Sequence, residues 1–464
     1  DFCLSRGLGD VYKRQTHTSE ENVMPTPSST FDPAVRHYSV IIVGGGQAGL
    51  SLSVYLQQRR IDHLVIEKNK LVHTWNDQRW DAFSLVTPNW QCNLPDWPYR
   101  GDDPHGFMVK DEINAWLAGF VEQVRAPALE MTEVQRVSRP ELQAPWQVET
   151  SRGLYTADQV VVASGGYHVP MVPRYAERLP ATVTQVHSAD YRNPAQLPEG
   201  GVLVVGSGQS GAQIAEDLHL AGRQVHLAVG NAPRCARFYR GKDVVDWLAD
   251  MGYYDMPVTA HPLREGVRDN TNHYVTGRDG GRDIDLRQFA KDGMALYGVL
   301  SGYDDGAFTF RPDLARHLDD ADRIYNGINA SIDKFIAAQG LDAPAATAYE
   351  AVWQPATEHT TLGLAESGIT SVIWCIGFMP GFSFVDAPVF TGRGHPVHLR
   401  GVTGVGGLYF LGLPWLHTWG SGRFSGIARD AQYLAEQIEQ FRLKPASGRA
   451  LAADACHEEA MDPA

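Results

Sequence analysis

The chain is poor in cysteine and has no closely spaced pair of thiols. Its 464 residues include five cysteines, and no two of them stand in a C-x-x-C arrangement. This absence excludes the redox dithiol on which disulfide reductases depend. So few cysteines are typical of a reducing compartment, and we expect a cytoplasmic location. The 17 histidines are dispersed without the spacing of a metal site, so no metal is expected.

Positive charge and long apolar segments are also scarce. Lys and Arg number 40 against 54 Asp and Glu, which gives a formal net charge of −14. This balance argues against nucleic acid or an anionic membrane as a partner. No run of about 18 uninterrupted apolar residues occurs, so we expect no transmembrane helix. A small molecule is therefore the expected partner, and the oligomeric state stays open, with a homodimer as one alternative.

The chain does contain two glycine-rich sequences 162 residues apart. The first, G-G-G-Q-A-G over 44–49, follows the β-branched run 38–43 and precedes a helical pattern. Strand, glycine turn and helix in this order are typical of a dinucleotide-binding unit, because N–H groups at the helix start bind the pyrophosphate. Glu67 ends the next strand, 23 residues beyond Gly44, where an acid binds ribose hydroxyls.

The second glycine sequence, G-S-G-Q-S-G over 206–211, repeats this plan with one difference. The strand that follows its helix ends in Gly230-Asn231, without a carboxylate. An acid there would repel a 2′-phosphate, so its absence favours NADPH over NADH. Arg234 and Arg237 begin a basic cluster downstream, and we predict that they bind this phosphate. A solvated basic face is the alternative.

These units predict an α/β fold with two Rossmann-like dinucleotide-binding domains, the second inserted in the first. We expect the first domain over 35–166 and 375–442 and the second over 167–374, with a polar insert at 240–330 that serves as a lid or substrate region. Residues 1–34 are expected to be a disordered lead-in; residues 1–15 resemble translated sequencing-adapter read-through, and 1–23 are excluded from fold prediction as an expected artefact. Residues 443–464 are expected to be a disordered tail.

Across 35–442 the chain resembles the flavin-containing monooxygenase superfamily. The likeness is carried by Trp80-Asp81, by the runs 85–90 and 239–243, and by 407–422. It is nearest to bacterial single-chain flavoproteins often labelled cation-transport-associated, and to a flavin-dependent oxidoreductase family encoded beside nitrilases. The resemblance implies that the first glycine sequence binds FAD and the second binds NADPH.

The two glycine sequences and the resemblance together give a set of expected cofactor-binding residues. They are Gly44, Gly46, Gln47, Ala48, Gly49, Glu67, Lys68, Trp75, Thr87, Asn89, Val134, Gly206, Ser207, Gly208, Gln209, Ser210, Gly211, Arg234, Arg237, Gly377 and Gly412. Asn89 and His417 are the candidate catalytic residues, with Gln91 and Trp419 as further candidates for lining the site. For Trp75 and Trp419, packing is an equally good interpretation.

The chain departs from this superfamily between the two units. Its monooxygenases carry F-x-G-x-x-x-H-x-x-x-(Y/W), and here His187 and Tyr191 match while Ala181 and Val183 replace the Phe and Gly. The resemblance implies that Tyr at 191 favours oxygenation of a heteroatom. A hydrogen-bonded linker histidine is the alternative interpretation of His187.

The resemblance implies an FAD- and NADPH-dependent monooxygenase. NADPH would reduce the flavin, and O2 would then form a flavin C4a-hydroperoxide that oxygenates a small organic N, S or carbonyl substrate. Two alternatives stay open. One is an NADPH-dependent flavin dehydrogenase or oxidase without oxygen insertion, and the other is an electron-transfer flavoprotein that serves a protein partner.

Overall fold

The computed structural model describes residues 35–444. The predicted lead-in over 1–34 lies outside the described residues, as does the predicted tail except for Leu443 and Lys444. The strands are β1 (Arg36–Val43), β2 (His63–Ile66), β3 (Asn93–Leu94), β4 (Trp97–Pro98), β5 (Ala128–Leu129), β6 (Val134–Ser138), β7 (Trp146–Thr150), β8 (Gly153–Val162), β9 (Val169–Pro170), β10 (Thr184–His187), β11 (Gly201–Val205), β12 (Val225–Ala228), β13 (Phe238–Tyr239), β14 (Lys242–Asp243), β15 (Ala295–Tyr297), β16 (Leu300–Asp304), β17 (Ala307–Phe310), β18 (Thr361–Gly363), β19 (Ile369–Trp374), β20 (Phe378–Met379), β21 (Val385–Asp386) and β22 (Leu408–Phe410).

The α-helices vary from short turns to one long helix. They are α1 (Gln47–Gln58), α2 (His73–Asp77), α3 (Lys110–Val124), α4 (Gln209–Leu220), α5 (Val244–Asp250), α6 (Leu286–Lys291), α7 (Leu314–Gln339), α8 (Leu364–Ser367) and α9 (Ile427–Leu443). Short 3-10 helices cover Asn89–Gln91, Arg174–Arg178, Pro194–Gln196, Tyr253–Asp255, Val258–Ala260, Arg264–Asp269 and Arg278–Gly280. None of the helices within 35–444 is long and apolar enough to cross a membrane.

Two sheets with parallel centres carry the fold. The first has eight strands in the order β21-β6-β7-β8-β1-β2-β5, with β22 also paired to β8, and β1 is parallel to both of its neighbours. The end of β1, from Val40 to Val43, is buried on both faces, as its β-branched sequence predicts. The second sheet is parallel throughout, in the order β10-β19-β11-β12-β15.

Strand membership shows how the chain passes between the sheets. The first sheet takes strands from 36–162 and again from 385–410, while the second takes its strands from 184–374. The mixed α/β architecture with a nested second unit confirms the predicted fold class. The exact domain boundaries stay a prediction.

The segment 240–330 is folded and packed against its surroundings. It supplies β15 to the second sheet and contains α5, α6 and most of α7. Arg278 donates to Asp217 at 2.8 Å and Arg282 to Glu216 at 3.0 Å, and both acids lie buried on α4. These charge-assisted bonds hold the segment on the second unit.

The same segment also contacts the first unit through a buried carboxylate. Asp246 on α5 accepts a hydrogen bond from the Trp90 indole at 2.6 Å and lies 3.0 Å from the His105 imidazole. Asp246 is 7% exposed, so its charge depends on these partners rather than on water. The 240–330 segment therefore joins the two units.

Replacing Asp246 by Ala is expected to loosen this junction. The change leaves the Trp90 indole without its acceptor, and a lost hydrogen bond to a charged group costs about 1.5–3 kcal/mol. We expect a lower melting temperature and faster amide hydrogen exchange over 89–108. Asp250→Ala, at a half-exposed carboxylate on the same helix that pairs with Lys242, is the control. Unchanged exchange over 89–108 in Asp246→Ala would contradict the role given to Asp246.

Candidate functional site

The first glycine loop (residues 44–49) brings α1 directly against β1 and β8. Gly44 has φ of +114°, and a Cβ there would lie 2.6 Å from the Ala163 carbonyl oxygen. A Cβ at Gly49 would lie 2.0 Å from the Gly44 carbonyl oxygen. Neither position accepts a side chain without movement of the backbone. At Gly46, by contrast, a Cβ would meet nothing within 4 Å, so the backbone there borders open space.

The second glycine loop (residues 206–211) has the same geometry. Gly206 has φ of +100°, and a Cβ there would lie 2.6 Å from the Cys375 carbonyl oxygen. A Cβ at Gly211 would lie 1.8 Å from the Gly206 carbonyl oxygen. Gly208, the middle glycine, has only the Thr271 methyl group nearby, at 3.3 Å from such a Cβ. Two separate parts of the chain thus adopt one loop design.

Both loops leave a helix start without a side-chain cap. Gly46 precedes α1 and Gly208 precedes α4, and neither position provides a capping hydrogen bond. The first N–H groups of each helix therefore stay available to a ligand, and the positive end of the helix dipole favours an anion. Open space beside the middle glycine and free N–H groups fit the pyrophosphate of a dinucleotide at each loop.

Glu67 lies where the sequence predicts a ribose-binding acid. It follows β2, and its two carboxylate oxygens accept hydrogen bonds from the N–H groups of Gly45 at 2.7 Å and Asn69 at 2.9 Å. The carboxylate is therefore held beside the first glycine loop. Lys68 is exposed next to it, and Val134 begins β6.

The other predicted residues of the first site gather around the start of α1. Trp75 donates to the Gln47 side-chain oxygen at 2.9 Å, and the Gln47 amide donates to the Gly422 carbonyl at 3.1 Å. A Cβ at Gly412 would lie 2.7 Å from that of Ala48. Gln47 thus joins the 73–77 helix to the C-terminal segment at the open side of the loop.

In the second loop the two serines differ in position. The Ser207 hydroxyl is buried and accepts a hydrogen bond from the Gly230 N–H at 3.0 Å. Ser210 is half-buried at the helix start. The Gln209 amide donates to the Val275 carbonyl at 2.7 Å, which fixes the 271–275 segment beside this loop.

Asn89, a predicted catalytic residue, is used in holding the chain together. It is 3% exposed, its amide donates to the Asp103 carbonyl at 2.9 Å, and its oxygen accepts from the Met108 N–H at 2.7 Å. Both polar ends are therefore occupied by main chain. These bonds support a structural role for Asn89. Thr87, two residues earlier, is half-buried.

His417, the other predicted catalytic residue, lies in the segment before α9. Its main-chain carbonyl accepts a hydrogen bond from the Val258 N–H at 2.6 Å, and its own N–H donates to the Ser421 hydroxyl at 3.0 Å. Burial lowers the pKa of its imidazole, and nearby Arg400 lowers it further. His417 is therefore neutral near pH 7 and can accept a proton. Its catalytic role stays a prediction.

Arg234 and Arg237 are interior residues and not members of a surface cluster. They are 2% and 1% exposed. Arg234 pairs with Asp285 at 3.2 Å and Asp322 at 3.4 Å, and Arg237 pairs with Asp243 at 2.5 Å. Because buried carboxylates already neutralise both guanidinium groups, their positions give no support to the prediction that they bind a 2′-phosphate.

His187 and Tyr191 have structural partners. The His187 Nε2 lies 3.1 Å from the Gly377 carbonyl oxygen and its Nδ1 accepts from the Ala189 N–H, which assigns the proton to Nε2. The buried Tyr191 hydroxyl donates to Asp217 at 2.8 Å. These contacts favour the linker interpretation of His187. They also place Gly377, with φ of +91°, in the chain that returns to the first sheet.

Sequence reasoning missed the residues that connect the two loops. Thr271 lies beside Gly208, and the next residue, Asn272, accepts a hydrogen bond from Arg423 at 2.8 Å. Arg423 directly follows Gly422, which binds Gln47 of the first loop. No local pattern marks Asn272, because its importance depends on a contact 151 residues away.

Residues 41–250 match the family described as pyridine nucleotide-disulphide oxidoreductase. A flavin-containing monooxygenase from Stenotrophomonas maltophilia has a TM-score of 0.60 at 19% identity, covering 88% of this chain and 100% of that one. The Kutzneria ornithine N-hydroxylase, in a structure with reduced FAD, NADP+ and ornithine, has a TM-score of 0.56 at 16% identity, covering 88% and 100%. The fold is that of two-dinucleotide-binding-domain oxidoreductases.

A bacterial relative identifies the family. The chain is 32% identical over 405 residues to an oxidoreductase of Geobacillus kaustophilus named CzcO-like and uncharacterized, covering 86% of this chain and 97% of the relative. The protein belongs to these CzcO-like oxidoreductases. The predicted resemblance and the prediction of an oxidoreductase enzyme are confirmed.

Two alanine substitutions in the first loop should separate folding from ligand binding. Gly46→Ala adds a methyl group in open space, so we expect an unchanged melting temperature of the apoprotein and FAD binding weakened about tenfold or more, which is about 1.4 kcal/mol. Gly49→Ala forces α1 from β1, and such overpacking costs about 1–3 kcal/mol. Melting temperature and FAD titration of the apoprotein measure the two effects.

Gly327→Ala is the matched control, because a Cβ on this exposed face of α7 would meet nothing within 4 Å. It should change neither FAD affinity nor stability, apart from the small gain of a Gly-to-Ala change within a helix. Native FAD affinity in Gly46→Ala would show that the first loop is not the pyrophosphate site.

Proposed function

We propose that the protein is an FAD- and NADPH-dependent monooxygenase that oxygenates a small organic N, S or carbonyl substrate. The proposal rests on one observation: two uncapped glycine loops of the same design are joined by a short path of contacts. FAD is assigned to the first loop, which has the acid Glu67, and NADPH to the second, where β12 is followed by Gly230-Asn231. Reduced FAD and NADP+ named in the ornithine N-hydroxylase structure support this pairing.

The path between the loops supports hydride transfer between two dinucleotides. Thr271 borders Gly208 of the second loop, Asn272 binds Arg423, and Gly422 binds Gln47 of the first. The two interdomain linkers also pair, because β9 and β20 form an antiparallel ladder. An enzyme that passes a hydride from one cofactor to another must position both from a common rigid frame.

The cysteines support oxygen rather than a disulfide as the final electron acceptor. Cys92, Cys235 and Cys375 are all free within the described part of the chain. Cys375 lies beside the second loop, with its Cβ 3.1 Å from where a Cβ of Gly211 would be. Burial raises the pKa of the Cys375 thiol, so it is not a thiolate, and it has no disulfide partner among residues 35–444.

A bound flavin would supply hydride acceptance and the activation of oxygen, and the chain supplies its surroundings. Trp75 stacks on Phe424 with ring centroids 4.8 Å apart, and Trp116 meets Phe424 edge-on at 5.0 Å. These rings give an apolar border to the side of the first loop where Gln47 lies, which suits the chemistry of an oxygenase. Neutral His417 can hold a proton at the C-terminal side of this region.

The preference for NADPH should depend on the missing carboxylate after β12. Asn231 is exposed there, and Asn231→Asp introduces a negative charge that repels the 2′-phosphate and suits the ribose hydroxyls of NADH. We expect the ratio of kcat/KM for NADPH to that for NADH to fall about tenfold or more, which is about 1.4 kcal/mol. Asn231→Gln is the neutral control. An unchanged ratio in Asn231→Asp would place the 2′-phosphate elsewhere.

Oxygen insertion is tested by isotope transfer. The FAD-loaded protein is mixed with NADPH and 18O2 across a panel of amines, sulfides and ketones, while NADPH, O2 and hydrogen peroxide are followed. We expect at least one compound to accelerate NADPH oxidation and to gain one 18O atom. Recovery of all consumed O2 as hydrogen peroxide would favour the oxidase alternative. Failure of NADPH to reduce the flavin would favour an electron carrier.

A further inference from the structure

Two half-buried arginines beside the first glycine loop have no acidic partner. Neither Arg79 nor Arg423 lies within ion-pair distance of a carboxylate anywhere in residues 35–444. Among their interior counterparts, Arg234, Arg237 and Arg287 all pair with aspartates. A desolvated cation without a counter-charge is costly unless a ligand supplies one.

Aromatic rings hold both guanidinium groups. Arg79 lies over Trp75 at 4.8 Å and over Phe83 at 5.4 Å from the ring centroids. Arg423 lies over Trp419 at 4.0 Å. A guanidinium stacked on a ring keeps its N–H groups in its own plane, where they can bind a carboxylate through two parallel hydrogen bonds.

Most of these N–H groups are still available. A guanidinium has five N–H donors. Arg79 donates one to the Gln78 carbonyl, and Arg423 donates to the Trp419 carbonyl and the Asn272 side chain. Neither arginine has an unsatisfied nitrogen sealed in the interior, in contrast to Arg234. Their remaining donors can therefore be reached from solvent.

The two arginines are linked by a short series of contacts. Trp75 under Arg79 stacks on Phe424, the neighbour of Arg423 in the chain. Burial lowers the pKa of Arg79 to about 10 and lowers that of Arg423, and both remain charged near pH 7. Gln47 links Trp75 to Gly422, so the region adjoins the first loop on its open side.

We propose that Arg79 and Arg423 form a carboxylate-binding subsite and that the substrate is an organic carboxylate with an apolar or aromatic body. The statement that the bound carboxylate is the substrate rests on the proposed function. The aromatic neighbourhood of the guanidinium groups suits the body of the molecule, and the free N–H groups suit its charge. A phosphate of FAD or of the nicotinamide dinucleotide has related oxyanion chemistry, and the test separates these sources from an organic carboxylate.

The test measures binding to the FAD-loaded protein without turnover. Benzoate, phenylacetate and indole-3-acetate are titrated against their amides, with flavin absorbance and calorimetry as readouts. We expect at least one carboxylate to bind about tenfold or more tightly than its amide, because only the carboxylate forms charge-assisted bonds. No preference for any carboxylate at concentrations up to about 10 mM, where binding is worth under about 3 kcal/mol, would overturn the proposal.

Variants then assign the preference to the two arginines. Arg423→Gln and Arg79→Gln should each weaken carboxylate binding about tenfold, leave the amide within about twofold, and leave FAD and NADP+ affinities unchanged; Arg423→Lys should recover part of the loss. Weakened FAD or NADP+ binding with native carboxylate binding would assign the pair to a dinucleotide and overturn the proposal. Melting temperatures establish that each variant is folded.

Arg139→Gln is the matched control. Arg139 also lies over a tryptophan, Trp146, at 5.5 Å, donates to the Ala144 and Gly406 carbonyls and has no carboxylate partner among residues 35–444, but it lies between β6 and β7 rather than beside the first glycine loop. The Arg139→Gln variant should bind carboxylates as tightly as the native protein does. Carboxylate binding through the pair without 18O insertion would leave the subsite standing and remove the proposed reaction. Insertion of 18O into a neutral compound, without carboxylate binding, would support the proposed reaction and overturn the carboxylate subsite.

Discussion

The close approach of each nucleotide helix to its strand is the constraint on which the structure depends. At Gly49 and Gly211 a Cβ would lie about 2 Å from a carbonyl oxygen of the same loop. Only glycine allows this approach, which directs the uncapped N–H groups of α1 and α4 into the space beside Gly46 and Gly208. The sheets fix the position of both loops. The carbonyl oxygen of Ala163, directly after β8, lies against Gly44, and that of Cys375, directly after β19, lies against Gly206.

A second requirement is that the two units face each other in a fixed way. The pairing of β9 with β20 joins the linkers, and the buried Asp246 joins the 240–330 segment to the first unit. That segment also binds α4 through Arg278 and Arg282. It is therefore a structural bridge, and its Asn272 brings the second loop within contact of Arg423.

The interior arginines fall into two groups, those paired with carboxylates and those without a carboxylate partner among residues 35–444. Aspartates neutralise the buried arginines of the second unit. The polar side chain of Asn89 is also bound within the protein, because it forms hydrogen bonds with the main chain. Arg79 and Arg423 differ because aromatic rings and carbonyls, not carboxylates, surround them. This contrast gives the proposed oxidoreductase a place for an anionic group beside the loop assigned to FAD.

The sequence by itself determined the two loops, their order and the nested α/β fold, because these depend on local strand, glycine and helix patterns that few residues specify. It also placed Glu67, which lies at the end of a short buried strand next to the loop. Only the tertiary structure decided that Arg234, Arg237 and Asn89 are bound to other parts of the chain, and that aromatic rings lie under Arg79 and Arg423. An arginine or asparagine has the same local sequence whether it faces a ligand or a buried partner, and the partner comes from a distant part of the chain.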